Sequence, residues 1–479
     1  FGDPIGNHRL LDKIGGRSPN FTAISHKTYF GAVPNVNIPV TVVQLLGKVN
    51  VTNADSPEVT MTNRKGNVII ADTLDRYHLN YYGKFNYEVT APGFGYSRGS
   101  IVTDMASDSI ITVSVELPEV TAFNWDGQTT VEPAAVDGVY QIGTGYELAW
   151  FAQHINAGNS GNAVLTADID LIGFPWTPIG SSSKTFKGSF DGQGHRIGGL
   201  YINSGNTYQA LFGYADGASI SNLSVEGTVI STGNYAAGIV AYSKASSITG
   251  CINCVQVSGK QYVAGVVAYM NGATTVERCA NYGGISASGT CAAGISAYVQ
   301  ASTGSISDSY NRAEISGAGN VAGIAYLYTT AAAAKVINVY NTGVIVCSAA
   351  TKGSIIMGSA AAGNGVENAY STVLYDKVAD AETLVTEQQM SDGEITWRLN
   401  GDQSVIVFRQ TLGGQQYPSF HGSQVFFDNG CYTNDNPATS VFLPEKKADS
   451  TIIYDVYGRP VTQPQQGLYI INGEKYWFE

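Results

Sequence analysis

Hydrophobic and polar positions along residues 208–377 repeat in two short clusters per unit. The first cluster runs Ala210-Leu211-Phe212-Gly213-Tyr214, Gly238-Ile239-Val240-Ala241-Tyr242, Gly265-Val266-Val267-Ala268-Tyr269 and Gly294-Ile295-Ser296-Ala297-Tyr298, with weaker copies starting at Gly323 and Gly353; the starts are 28, 27, 29, 29 and 30 residues apart. The second runs Ile220-x-x-Leu223, Ile248-x-x-Cys251, Val276-x-x-Cys279, Ile306-x-x-Ser309, Val336-x-x-Val339 and Val366-x-x-Ala369. Two residues beyond it stand Asn253, Asn281, Asn311 and Asn341. Each unit has too few apolar residues for a core of its own, so neighbouring units must stack. Segments this short, β-branched and glycine-punctuated predict coils of a parallel β-solenoid, a right-handed β-helix, with equivalent residues about 4.8 Å apart. The four asparagines then become a structural amide ladder, each amide able to donate to the next. From the start of the first cluster to the end of the second the distance grows through 13, 13, 14, 15, 16 and 16 residues. Insertions therefore map to one edge, at 243–247, 270–275, 299–305, 328–335 and 358–365, where a stacked loop face is expected.

The flanks carry different patterns. Residues 1–37 have no sustained period and predict a lead-in with at most one strand. Between 38 and 118, runs such as Val40-Thr41-Val42-Val43 and Val68-Ile69-Ile70, punctuated by turn residues, predict a small Ig-like antiparallel sandwich. Leu148, Phe151, Ala152 and Ile155 fall on one face of a short helix over about 145–157. The whole chain is thus expected to be all-β: a sandwich, a β-helix over 119–435 with capping helices, and a small C-terminal β segment at 436–479.

Composition narrows the function. Only 13% of the 479 residues are Asp, Glu, Lys or Arg, and the net charge is −12. With 44% hydrophobic residues the chain can bury surface, unlike a disordered one. An acidic balance without Lys/Arg clusters argues against nucleic acid, and no stretch approaches the ~20 apolar residues of a membrane span. The chain begins Phe1-Gly2-Asp3, as expected of a mature or trimmed chain whose targeting sequence has been removed.

Three resemblances follow from these residues. The repeat, with Asp137-Gly138-Val139-Tyr140-Gln141-Ile142 and Phe190-Asp191-Gly192-x-Gly194-His195 before it and Ser391-Asp392-Gly393-Glu394, Leu399-Asn400-Gly401 and Arg409-Gln410-Thr411-Leu412-Gly413 after it, resembles the GLUG-motif β-helix surface proteins, which include the repeat region of bacterial IgA-cleaving metallopeptidases. Ala241, Ala268 and Ala297 stand where that motif has its second glycine. Tyr87-Glu88-Val89-Thr90-Ala91-Pro92-Gly93-Phe94 and Ile110-Ile111-Thr112-Val113-Ser114-Val115 are similar to the closing half of PEGA and carboxypeptidase-regulatory-like sandwiches. Tyr454-Asp455-Val456-Tyr457-Gly458-Arg459 and Gly467-Leu468-Tyr469-Ile470-Ile471 resemble the end of a type IX secretion sorting domain, which implies passage to the outer surface of a Gram-negative cell.

Candidate chemistry is sparse. From Tyr208 to Ser371 the only carboxylates are Asp216, Glu226, Glu277, Asp308, Glu314 and Glu367, and no column places two in adjacent coils. Asp308 falls one coil from Arg278 in the same column, the arrangement of a surface ion pair. Asp191 and His195 could serve acid–base work, although their glycine pair marks a turn. His-Glu-x-x-His does not occur, so the peptidase activity of the resembled family has no matching positions. Of Cys251, Cys254, Cys279, Cys291, Cys347 and Cys431, Cys251 and Cys279 share a small apolar column and are expected to be buried rather than metal-bound. No catalytic residue, metal site or cofactor is expected. The column Tyr214, Tyr242, Tyr269 and Tyr298 has two readings: facing out, its rings could stack on sugars; facing in, they form an aromatic core. The expected function is a non-catalytic, adhesin-like protein at the cell surface or secreted, with a glycan or an extracellular host or matrix protein as ligand. A polysaccharide-active lyase or hydrolase and a structural stalk are the alternatives.

Overall fold

The computed structural model describes residues 20–22, 39–41, 45–104, 109–300, 303–328, 334–348, 353–357, 365–373, 382–437, 453–455, 459–461, 466–471 and 474–478. The described residues are almost all β, and their main body is a parallel β-solenoid of about seven turns. Its coils contribute to one sheet of 19 strands and another of 9 among the described residues. Pairing is in register from coil to coil: Ile220 with Ile248, Ile248 with Val276, Val276 with Ile306, and Ile306 with Val336.

These columns are the core. Ile220, Ile248, Val276, Ile306 and Val336, and Ile239, Val266, Ile295 and Ile324, are all at most 1% exposed. The helix Gly145–Asn156 packs at the start of this core. Thr144 and Glu147 form its capping box, and Leu148, Phe151, Ala152 and Ile155 are buried. Phe151 meets Phe186 and Phe190, which meet Phe212 in the first full repeat. Large rings thus fill the beginning of the core, and β-branched columns continue it.

One turn column has a fixed backbone demand. Asn222, Gly250, Arg278, Asp308, Asn338 and Asn368 all take positive φ, between 48° and 65°. Asn, Asp and Gly adopt this conformation most readily, and they fill five of the six positions. The exception, Arg278, bonds Glu277 at 3.1 Å rather than pairing with Asp308, which accepts from the Asn338 amide at 2.9 Å instead. The expected Arg278–Asp308 ion pair therefore does not form: Asp308 belongs to a side-chain ladder that Asn368 continues by donating to Asn338 at 2.9 Å. The last copy of the repeat also shifts, because Gly353 pairs with Val321 and is not the counterpart of Gly323.

The sandwich spans Leu45–Val51 to Ile110–Val115 among the described residues. Leu45–Val51 lies between Arg76–Leu79, antiparallel, and Ile110–Val115, parallel. A four-stranded antiparallel sheet closes over them, and Leu45, Met61, Phe85, Val89 and Ile101 are buried between. Of the run at Val40, Val40 and Thr41 lie in Pro39–Thr41, which pairs with Asn20–Thr22 in a separate two-stranded sheet, and Val42 and Val43 lie outside the described residues. Arg98 ties sandwich to solenoid: it bonds Glu88 at 2.6 Å, donates to the Gly173 carbonyl at 2.7 Å and lies over the Tyr201 ring at 3.3 Å.

Residues 386–479 form a second compact unit. In it, Asn400 donates to the carbonyls of Thr396 and Phe408, and Gln410 to those of Met390 and Gln415. The Leu399-Asn400-Gly401 and Arg409-Gln410-Thr411 motifs are thus internal hydrogen-bonding devices. Its last strands form a four-stranded antiparallel sheet.

Candidate functional site

The strand Val240–Lys244 shows how the solenoid positions its tyrosines. Val240 and Ser243 are buried, Tyr242 is half-buried and Lys244 is exposed. From the buried Ser243, alternation places Tyr242 and Lys244 on the outer side; Val240 has the same parity as Tyr242 yet packs in the main core, so the chain kinks between them. In the neighbouring coil Val267 and Met270 are buried while Tyr269 and Asn271 are half-buried. The rings therefore lie outside the main core. Of the column's two readings, rings outside the main core are what the structure has, and Ala241 and Ala268 are buried beside them against Tyr208 and Tyr235.

Sequence reasoning missed a second ladder. Tyr208, Tyr235 and Tyr262 recur every 27 residues and stack at 5.2 and 5.5 Å with rings within 14° of parallel. The first ladder, Tyr214, Tyr242, Tyr269 and Tyr298, stacks at 4.5, 4.9 and 4.8 Å. The two meet edge to face: Tyr235 against Tyr242 and Tyr269 at 5.6 and 5.1 Å, and Tyr262 against Tyr269 and Tyr298 at 5.7 and 4.8 Å. Their floor is alanine, with Ala210, Ala237, Ala241 and Ala268 under one half and Ala264, Ala293 and Ala297 under the other. Small residues are what allow rings of both ladders to close over one bent sheet. Ala241, Ala268 and Ala297 thus have a packing role here.

This geometry changes what the surface offers. Within each ladder, ring faces are covered by the next tyrosine, so a sugar has no free face to stack on between coils. What points outward is ring edge and phenol hydroxyl, bordered by Asp216, Lys244, Asn271 and Gln300 two residues further on. Asn271 donates to the Tyr242 hydroxyl at 3.0 Å, and the Tyr269 hydroxyl donates to Gln300 at 2.8 Å. Burial pushes the phenols up: Tyr235 to about 12, with Tyr208, Tyr214, Tyr262, Tyr269 and Tyr298 also raised. They are neutral hydrogen-bonding groups at physiological pH.

The asparagines lie on the inner side. Asn253, Asn281, Asn311 and Asn341 are fully buried. Each donates to the next, Asn253 to Asn281 at 2.7 Å, Asn281 to Asn311 at 2.6 Å and Asn311 to Asn341 at 2.7 Å, and also to the carbonyl two residues on. A Cβ added at Gly238, Gly265, Gly294 or Gly323 would collide with the asparagine of the same coil. That is the physical reason for the repeated glycine. In the first coil Val225 replaces asparagine, and the coil is one residue short: Gln209 pairs with Ala236 but Phe212 with Val240, leaving no counterpart of Gly238.

The remaining candidates are dispersed. His195 bonds Asp168 at 3.0 Å, not Asp191, which instead accepts from the Gln193 backbone and the Asn222 side chain. Cys251 and Cys279 are buried, with thiols donating to the Ile220 and Ile248 carbonyls; the Cys279 thiol and burial push Cys251 up. Among the described residues no group of three His, Cys, Asp or Glu is placed to hold a metal ion. Glu277 pairs with Ser307, which makes Asp308 its diagonal neighbour one coil away; burial raises Asp308, the Asn338 amide opposes the rise and the Glu277 charge adds to it. A column-by-column reading of the sequence passes over it. A separate cluster, Tyr282, Tyr310 and Tyr340 around Arg312, is closed by bonds from Arg312 to the Tyr340 hydroxyl at 3.0 and 2.8 Å. Of the predicted loop edge, 299–305, 328–335 and 358–365 lie partly outside the described residues.

Fold and site together define a parallel β-solenoid repeat protein with an aromatic outer face. No family model matches the chain. A candidate Gly-rich membrane protein of Evansella cellulosilytica is 40% identical over 68 residues, which are 14% of this chain and 8% of that protein. The solved structure of a candidate immunoglobulin A1 protease from Bacteroides ovatus is similar with a TM-score of 0.44 and 16% identity, covering 63% of this chain and 96% of that one. Among the described residues no helix is long and apolar enough to cross a membrane.

Proposed function

We propose that this is a non-catalytic, adhesin-like protein, secreted or held at the cell surface, whose solenoid presents the tyrosine double ladder to a glycan or an extracellular protein. The observation that carries this reading is the ladder itself: seven interlocked, half-open or nearly buried tyrosines outside the core, edged by neutral and charged hydrogen-bonding side chains. Tyrosine gives contact area at low conformational cost together with a hydroxyl, a combination common in recognition surfaces. The ligand contacts ring edges and hydroxyls across several coils, so affinity is spread over the face. The GLUG-like repeat and the sorting-like C-terminal strands support a surface destination. The test is binding to glycan and matrix-protein panels by the native protein and by Tyr235→Ala/Tyr242→Ala. Saturable binding that falls at least about tenfold in the variant, with circular dichroism unchanged, supports the reading; no binding across both panels counts against it.

A further inference from the structure

One end of the sandwich holds a concavity of about 1080 Å³ that is independent of the solenoid face. The hairpin tip Asn63–Asn67, the loop 80–83, the strand starting Lys84-Phe85-Asn86, and residues 102–104 line it. Its walls are held in place. Asn63 Oδ1 accepts from the backbone N–H of Lys65 and Asn67 at 2.9 and 3.0 Å, and Gly66 takes φ +80° to close the turn. Across from it, the buried Thr103 hydroxyl donates to the Asn80 carbonyl at 2.6 Å and accepts from the Gly83 N–H at 2.8 Å.

The charge of this concavity opposes that of the chain. The protein carries −12 overall, yet the lining holds Arg64, Lys65 and Lys84 against one carboxylate, Asp104. On this unit Arg76, Arg98, Arg196 and Lys244 sit against carboxylates, whereas among the described residues the exposed Lys184, Lys187, Lys260 and Lys335 do not and are scattered along the chain; the concavity differs in gathering three cations in one lining. Arg64, Lys65 and Lys84 have no ion-pair partner among the described residues. The same lining offers the amides of Asn67, Asn80 and Asn86 and the Tyr82 ring, 56% exposed. Cations for an anionic substituent, amides for hydroxyls and an aromatic ring for an apolar sugar face are the groups an acidic oligosaccharide needs. A volume of this size exceeds a single ion.

We propose that this end of the sandwich binds short acidic saccharides, through carboxylate or sulfate groups paired with Arg64, Lys65 and Lys84. The site needs nothing from the tyrosine ladders, so the two proposals fail separately. Calorimetry with a galacturonate tetramer, a sulfated heparin tetrasaccharide and neutral cellotetraose tests it. At least one acidic probe binds about tenfold or more tightly than cellotetraose, weakens as salt is raised, and loses about tenfold or more in Arg64→Gln/Lys84→Gln. Both substitutions are at exposed positions, and Tyr235→Ala/Tyr242→Ala leaves this binding intact. Carboxylated and sulfated probes identify which acid is read. Equal binding of the neutral probe, no acidic binding at millimolar concentration, unchanged binding in the lysine–arginine variant, or loss in the tyrosine variant would overturn the proposal.

Discussion

The asparagine ladder and the tyrosine ladders are built on the same coils, one residue per turn at the same repeat distance, yet they sit in different sheets, the asparagines facing the inside of the solenoid and the tyrosines its outside. The amides are sealed, and each is satisfied by the next asparagine and by a backbone carbonyl. The phenols lie outside, half-buried by one another and by a floor of alanine. Burial without water leaves the inner ladder no tolerance for a missing partner. Outside, water replaces whatever contact is lost. Recurrence therefore says that a residue matters to the stack, whereas its side of the sheet says whether it holds the coil or meets a ligand.

Breaking the inner ladder gives the largest effect. Asn281→Ala removes a donor and an acceptor at full burial and costs about 3 kcal/mol, seen as a lower denaturation midpoint and faster amide exchange in the two flanking coils; a loss under about 1 kcal/mol would mean that water enters the coil and the ladder is dispensable. Gly265→Ala, which drives a methyl into Asn281 and the Gly294 carbonyl, costs about 2 kcal/mol. The outer face responds to pH instead. Burial raises Tyr235 to about 12, against about 10 for a free phenol, so the folded state holds the proton more tightly. Stability from this term is complete below about pH 10 and is lost as pH rises toward 12; unfolding measured across that range shows the decline, and a flat profile would place the phenols in bulk water. The smallest effect has the opposite sign. Ser296 Oγ is buried with no hydrogen-bond partner among the described residues, so Ser296→Ala stabilises by about 1 kcal/mol, read from the same denaturation midpoint.

Much of the solenoid was legible in the sequence because its columns are chemically uniform. Ile220, Ile248, Val276 and Ile306 announce an inner face, and Asn253 to Asn341 announce a ladder. The side on which Tyr242 faces was not legible, because Val240 and Tyr242 share a strand parity yet one packs in the main core and the other outside it, a kink that no spacing announces. The second tyrosine column was present at a 27-residue spacing but fell outside the two clusters that define the repeat. Gly353 misled for a related reason: a glycine at the right spacing was counted as a copy although its coil pairs in a different register. Val40 misled because a β-branched run reveals a strand and not its partner, which here is Asn20–Thr22. The Glu277–Asp308 approach is diagonal between coils, and columns alone do not reveal diagonals.

The most direct test of the central claim is oxidative footprinting of the native protein, alone and saturated with whichever glycan or matrix protein it binds. The account predicts protection of Tyr235, Tyr242, Tyr262 and Tyr269 on binding, with the buried Tyr310 and Tyr340 unchanged. Protection elsewhere, with these four as reactive as before, would contradict it.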